Sequence, residues 1–139
     1  MEITANAIQT VADGANVLFT DTVVGGNCAI THRDGSGLVT LRGLTNQCRA
    51  RFRVSFGGNI AIPTGGTVGP ISLAIAIDGE AVATTTMIST PAAVEEYQNV
   101  FSAIFLDIPR GCCSQISVKN IGDEDVEIQN ANLIIERVA

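Results

Sequence analysis

The residues able to do chemistry are few: Cys28, Cys48, Cys112 and Cys113, a single histidine at His32, a stripe of arginines and one acidic run. None of the cysteines forms a Cys-x-x-Cys pair, and with one histidine the usual zinc ligand set is missing. The thiols therefore read as buried or reduced, or as a bridge joining Cys28 or Cys48 to one of the other two, or as a bond across a subunit boundary. A bond between the neighbours Cys112 and Cys113 would be strained. His32, Asp34 and Ser36 are the residue types of a hydrolytic triad. On one short turn, however, their side chains diverge, and neither a nucleophile elbow nor an oxyanion-hole motif accompanies them. A catalytic thiol at Cys112 or Cys113 needs a partnered imidazole, and His32 lies far upstream. The Asp123-Glu124-Asp125 run with Glu127 offers oxygens suited to a hard cation, but without calcium-loop spacing it reads as a solvated turn. The sequence thus assigns no catalytic, cofactor-binding or metal-ligating residue and predicts a protein that is not an enzyme.

The sharpest polar feature is Arg49, Arg51 and Arg53. Spaced by two on a strand, they project from one face, where like charges in a row are costly unless carboxylates answer from neighbouring strands or chains. A solvated face, ion pairs between subunits, and docking to an acidic particle surface all fit. Nucleic acid does not: 8 basic against 14 acidic residues leave a net charge of −6, the wrong sign for phosphate. With no Trp and one Tyr, sugar-stacking platforms are scarce, so a glycan partner would have to be read by polar loops.

These residues must be positioned by strands. Runs rich in Val, Ile, Thr and Phe alternate with Gly, Asn, Asp and Pro turns over the 139 residues, the pattern of an all-β sandwich in one domain spanning 1-139. Eight to ten strands are expected, at Ala5 to Val11, Asn16 to Phe19, Cys28 to His32, Gly37 to Arg42, Arg49 to Ile62, Ile71 to Ile77, Ala81 to Ser89, Tyr97 to Ile108, Ser114 to Asn120 and Val126 to Val138. Asp78-Gly79 and Pro109-Arg110-Gly111 are typical of the turns between them. Only Pro91 to Glu96 suggests a helical turn.

Alternation assigns the faces. Ala50, Phe52, Val54 and Phe56 point inward, opposite the arginines. Ile71, Leu73, Ile75 and Ile77 are expected inside, with Ser72, Ala74 and Ala76 solvent-facing or lightly covered. Tyr97 to Ile108 is apolar on both faces. Its outer set, Tyr97, Phe101, Ala103 and Phe105, makes a candidate subunit interface, since aromatics are enriched in interface cores. Hydrophobic residues make up 46% and charged residues 16%, against about 25% charged in an ordinary domain, which points to an oligomer covering part of the surface. No apolar run approaches the roughly 20 residues of a membrane span, and the Met1 end lacks a secretion-signal pattern. The apolar C-terminal strand is expected in the middle of a sheet.

Taken together, Ala5-Asn6-Ala7-Ile8-Gln9-Thr10-Val11, Val17-Leu18-Phe19, the Gly37 to Arg42 strand, Val100-Phe101-Ser102-Ala103, Ile116-Ser117-Val118-Lys119-Asn120 and Asn132-Leu133-Ile134-Ile135-Glu136-Arg137 resemble the tumour necrosis factor-like jelly roll. Complement globular heads and the C-terminal domains of spore-surface collagen-like glycoproteins share that fold. The opening around Asn6 and the Glu-Arg-Val-Ala ending are similar to proteins of clostridia-like bacteria and their phages. The resemblance implies an antiparallel jelly-roll sandwich that forms a homotrimer. It further implies a structural role as a decoration protein on a capsid or other particle surface, located on a virion or alternatively on a spore or cell surface. A carbohydrate- or receptor-binding tip is the remaining alternative. The expected trimer interface comprises Tyr97, Phe101, Phe105, Arg49, Arg51 and Arg53. The relatives' Gly-X-Y stalk is absent, so particle attachment is expected through Met1, Glu2, Ile3, Thr4, Ala5 and Asn6, as a segment outside the core.

Overall fold

The computed structural model describes residues 1–139. Strands β1 (Glu2–Ala5), β2 (Gln9–Val11), β3 (Asp21–Val24), β6 (Arg49–Ala61), β10 (Gln98–Pro109) and β12 (Val126–Arg137) form one antiparallel sheet in the order β10-β6-β12-β1-β3, with β2 beside β12. The second sheet comprises β4 (Ile30–His32), β5 (Val39–Arg42), β7 (Ile71–Ile77), β8 (Glu80–Ala81), β9 (Met87–Ser89) and β11 (Cys113–Asn120), in the order β4-β5-β11-β7-β8 with β9 beside β7. The inward residues of both sheets build one core of 27 buried residues, in which Phe19 meets Phe56 edge to face at 6.3 Å. Each large side chain fully buried there contributes about 1.5–3 kcal/mol.

The long alternating strands lie where their patterns place them. Ala50, Phe52, Val54 and Phe56 are buried, and β12 is central, between β6 and β1. Asn130, at φ 57, marks a bulge in β12 between Gln129 and Asn132. It switches the core-facing set from Val126 and Ile128 to Ala131, Leu133 and Ile135, which keeps both halves of the strand packed. Asp78 and Gly79, both at positive φ, form the tight turn expected between β7 and β8.

Several expectations are corrected. Asn16 to Phe19 is not a strand, although Val17 and Phe19 are fully buried: the segment has one bridge, Asn16 to Lys119, and enters the core as an irregular crossing. Ala5 to Val11 is interrupted between β1 and β2, and Asp21–Val24 forms a strand whose side chains are all exposed, leaving no inward pattern to detect. Ala81 to Ser89 is broken by a 3-10 turn at Ala83–Thr85. There the Thr85 hydroxyl accepts the Ile75 N–H at 2.9 Å and donates to Val82 O at 2.7 Å, replacing a strand neighbour. Pro91 to Glu96 is not helical; Glu95 sits at φ 59 and its N–H donates to Ile62 O at 2.8 Å. Ala74 and Ala76 are completely buried rather than lightly covered. Lys119, paired with Ala74, donates from Nζ to Gly79 O at 3.1 Å.

The segment Met1 to Asn6, expected outside the core, is instead built into the sheet. Residues 2–5 are β1 itself, held between β12 and β3, with Ile3 and Ala5 in the core and only Asn6 of the six residues exposed. The terminal ammonium at Met1 donates to Ile135 O at 2.7 Å. The segment is part of the sheet because its apolar residues alternate into the core, so it is not a detachable arm.

Candidate functional site

Two surfaces and one half-buried cluster bring together the residues singled out above. The first surface is the outer face of the β10-β6-β12-β1-β3 sheet. Register places Phe101 beside Gly57, then Asn132 and Thr4; the next row on that face runs Ala103, Ser55, Ile134, Glu2 and Val24. Phe105 follows, beside Arg53. Phe101 and Phe105 are 63% and 64% exposed and Ile134 is 40% exposed, an apolar relief of two rings projecting beside small residues. The chain's accessible surface is 6790 Å², close to the about 6,900 Å² expected for a folded chain of this length, so incomplete folding does not explain these exposed rings.

The arginine stripe continues the same face and is answered within the chain. Arg51 makes a two-pronged contact with Asp107, Nε at 2.8 Å and Nη2 at 3.1 Å, while Arg49 Nε approaches the same carboxylate at 3.0 Å. Arg53 lies 3.8 Å from Glu136. The Arg51 hydrogen bond holds Asp107 below the usual carboxylate range, and Arg51 in turn titrates above its ordinary value. Two carboxylates thus answer three guanidinium groups within the chain. Asp107 was legible in the sequence only once β10 was set in register against β6.

Tyr97, unlike Phe101 and Phe105, is not an exposed ring. It precedes β10 and is half-buried, its hydroxyl enclosed without a hydrogen-bond partner. Burial, then the nearby Glu127 carboxylate, push it up to about 12. Glu127 Oε2 is likewise enclosed and unpaired, and burial together with the adjacent Glu95 raises its titration. Glu95 is the charged partner: its Oε1 accepts the Thr64 hydroxyl at 2.8 Å and the Thr64 N–H at 3.0 Å, which lowers it. This cluster fastens the loop before β10 to the end of β6. The sequence placed Glu127 with the acidic turn, but alternation along β12 separates it from Asp123, Glu124 and Asp125.

The triad residue types form no triad. His32 is fully buried as a side chain, edge-on to Phe19, and its Nε2 donates to the Ser36 carbonyl at 2.8 Å. Its Nδ1 lies 3.8 Å from Asp34, while the Ser36 hydroxyl accepts the Leu38 N–H at 3.0 Å. The imidazole is thus engaged with backbone and the serine is a turn residue.

The second surface is one end of the sandwich. There the Arg42 guanidinium donates to Cys28 O at 3.2 Å, the Gly43 N–H to Cys112 O at 2.9 Å and the Arg110 N–H to Cys48 O at 2.9 Å, while Cys113 pairs with Arg42 in register. A Cβ added to Gly43 would lie 2.2 Å from Pro109 O, so only glycine allows these loops to close on each other. All four cysteines are free, and they are exposed rather than buried. Six of the seven arginines, all but Arg33, lie on this end or the adjoining stripe. Asp13, Glu95, Glu96, Asp123, Glu124, Asp125 and Glu127 gather at the other end, where Glu127 pairs with Ala61 and Asn120 Nδ2 donates to Glu124 O at 2.8 Å.

Among solved structures, the globular domain of the zebrafish complement 1qA protein superposes with a TM-score of 0.63 at 11% identity, covering 96% of this chain and 93% of its own. The Eiger TNF of S. frugiperda gives 0.68 at 12% identity, over 100% of this chain and 92% of its own, and murine APRIL gives 0.54 at 9%, over 91% and 95%. No family model matches the chain, and no curated protein matches it closely. The two antiparallel sheets have the TNF- and C1q-like jelly-roll fold, as the sequence resemblance implied. The expected likeness to clostridial and phage proteins has no counterpart among these structures.

Proposed function

On the premise of a TNF- and C1q-like jelly roll, we propose that this chain is the subunit of a non-enzymatic homotrimer that decorates a particle, a virion surface before a spore or cell surface. The observation that carries the trimer is the outer face of the first sheet, where Phe101, Ala103, Phe105 and Ile134 are exposed in a row-and-furrow relief. Exposed apolar surface of this kind marks contact sites, and a second and third copy would each bury it without a new partner. A binding rather than catalytic role is supported by the engaged imidazole of His32 and by a fold that matches TNF and C1q domains. Attachment belongs to the arginine-rich end rather than to residues 1–6, which are part of the sheet. An acidic particle surface is the complementary partner.

The virion is preferred on the sequence resemblance of the opening around Asn6 and of the Glu-Arg-Val-Ala ending alone. Co-sedimentation of the purified protein with particles stripped of it tests the assignment. Saturable rebinding to phage particles that weakens with salt and is reduced by Arg42→Glu or Arg110→Glu is expected. Rebinding to spores or cell envelopes but not to phage particles would move the protein to the alternative surface.

A further inference from the structure

The outer side of the second sheet carries a polar depression that neither the apolar face nor the arginine stripe uses. Ile30, Val39, Leu41 and Ile116 point into the core, so alternation sets Thr31, Thr40 and Gln115 on the opposite side. Register aligns these three in one row across β4, β5 and β11. Neighbouring strands space their side chains in steps of about 4.8 Å. Arg33, Ser36 and Leu38, from the turn that joins β4 to β5, wall the row and complete a depression of about 360 Å³, within the roughly 300–1,000 Å³ of small-molecule sites. The turn is held from the core side. There His32 Nε2 donates to Ser36 O at 2.8 Å, the Gly35 N–H donates to Phe19 O at 2.8 Å, and the Phe19 N–H donates to Ser36 O at 3.3 Å. The wall is thus set before a ligand arrives, which lowers the ordering cost of binding.

Charge decides what the depression takes. Asp34, the chain neighbour of Arg33, is engaged elsewhere: its Oδ1 accepts the Thr22 hydroxyl at 2.6 Å and lies 3.8 Å from His32 Nδ1. Asp78, beside Gln115, accepts the Gln115 N–H at 2.9 Å. The ion pairs of the chain engage Arg49, Arg51 and Arg53 and leave Arg33 without a carboxylate. Half-buried Thr31 and Thr40 and exposed Gln115 keep their hydroxyls and side-chain amide free as well. We propose that this depression binds a sugar bearing a single carboxylate, of the uronic- or sialic-acid class. One planar guanidinium matches one carboxylate in a two-pronged pair. A phosphate or sulfate group calls for a further cation, and the others on this face are tied, Lys119 to Gly79 O at 3.1 Å and Arg42 to Cys28 O at 3.2 Å. Hydroxyls and an amide, which both donate and accept, suit the sugar's hydroxyls, and steps of about 4.8 Å are on the scale of one pyranose ring. Leu38, 39% exposed, offers an apolar contact to the ring C–H groups. The site does not rest on the trimer reading, whose contact lies on the other sheet.

The test is an NMR titration of the isotope-labelled full chain with millimolar sodium glucuronate, galacturonate and N-acetylneuraminate. Glucose, galactose, sodium acetate and sodium sulfate serve as controls. At least one acidic sugar should shift the backbone amides of Thr31, Arg33, Leu38, Thr40 and Gln115 saturably, and should bind at least tenfold more tightly than the neutral sugars, acetate or sulfate. Arg33 is exposed, so Arg33→Ala leaves the fold intact, and it should lose at least tenfold in affinity. Thr40→Val, which keeps the shape without the hydroxyl, should lose several-fold, with the thermal unfolding of both variants unchanged. Arg110→Glu, which tests docking at the arginine-rich end, should bind the sugar as the native chain does, so failure of one reading does not mask the other. No saturable shift with any of the three acidic sugars, an equal response to a neutral sugar or a simple anion, shifts confined to other residues, or full affinity in Arg33→Ala would overturn the proposal.

Discussion

Glu127 is the residue whose neighbours most constrain its charge. Its carboxyl is raised by burial and by the adjacent Glu95, so the folded state holds its proton to higher pH than the unfolded chain does. The stability linked to that proton is fully present below the unfolded value of about 4.3 and is lost as pH rises through the folded value. Glu127→Gln, which keeps the shape without the charge, should therefore raise the melting temperature at about pH 8 and lose its advantage near pH 4. A thermal scan across that range checks it, and an equal effect at both ends would assign the residue a packing role only. Residue roles of this kind were only partly legible in the sequence. The alternation that exposed Arg49, Arg51 and Arg53 held, but their partner Asp107 and the Tyr97–Glu95–Glu127 cluster are made by cross-strand register and loop path. The cysteines, read from the sequence as buried or reduced, lie outside because none occupies a core-facing strand position: Cys28, Cys48 and Cys112 lie between strands and Cys113 is on the outer side of β11.

At the scale of elements, the long strands β6, β7, β10, β11 and β12 were readable because each carries its own two-residue period into a shared core. Short elements were not. β3 exposes every side chain, and Val17 and Phe19 fill the core from a segment with a single bridge, so pattern and secondary structure part company there. The first strand is the consequential case. Because β1 supplies Ile3 and Ala5 to the core and lies between β12 and β3, removal of residues 1–6 should cost several kcal/mol, by roughly 1.5–3 kcal/mol for Ile3 alone. Denaturant unfolding should show a clear loss of stability, with β3 detached as well. A truncated chain as stable as the whole one would mean that β1 is peripheral after all.

The whole molecule is a two-ended sandwich with one uncovered apolar face. Arginines and thiols share one end and half of the 14 acidic residues gather at the other, with Asp107 and Glu136 set among the arginines, while the first sheet presents phenylalanines to its outer side. On the function proposed above, a chain with only 16% charged residues and a net charge of −6 would meet an acidic partner at the arginine-rich end and its own copies on the apolar face. The central claim is the trimer, and the solution mass of the reduced protein tests it most directly. Sedimentation equilibrium at micromolar concentration should give three chains per particle for the native sequence. Phe101→Asp should give one folded chain, because that side chain is 63% exposed in the single subunit and its replacement harms only the contact between copies. A native protein that sediments as a stable monomer, or a Phe101→Asp variant that remains fully trimeric, would contradict the account.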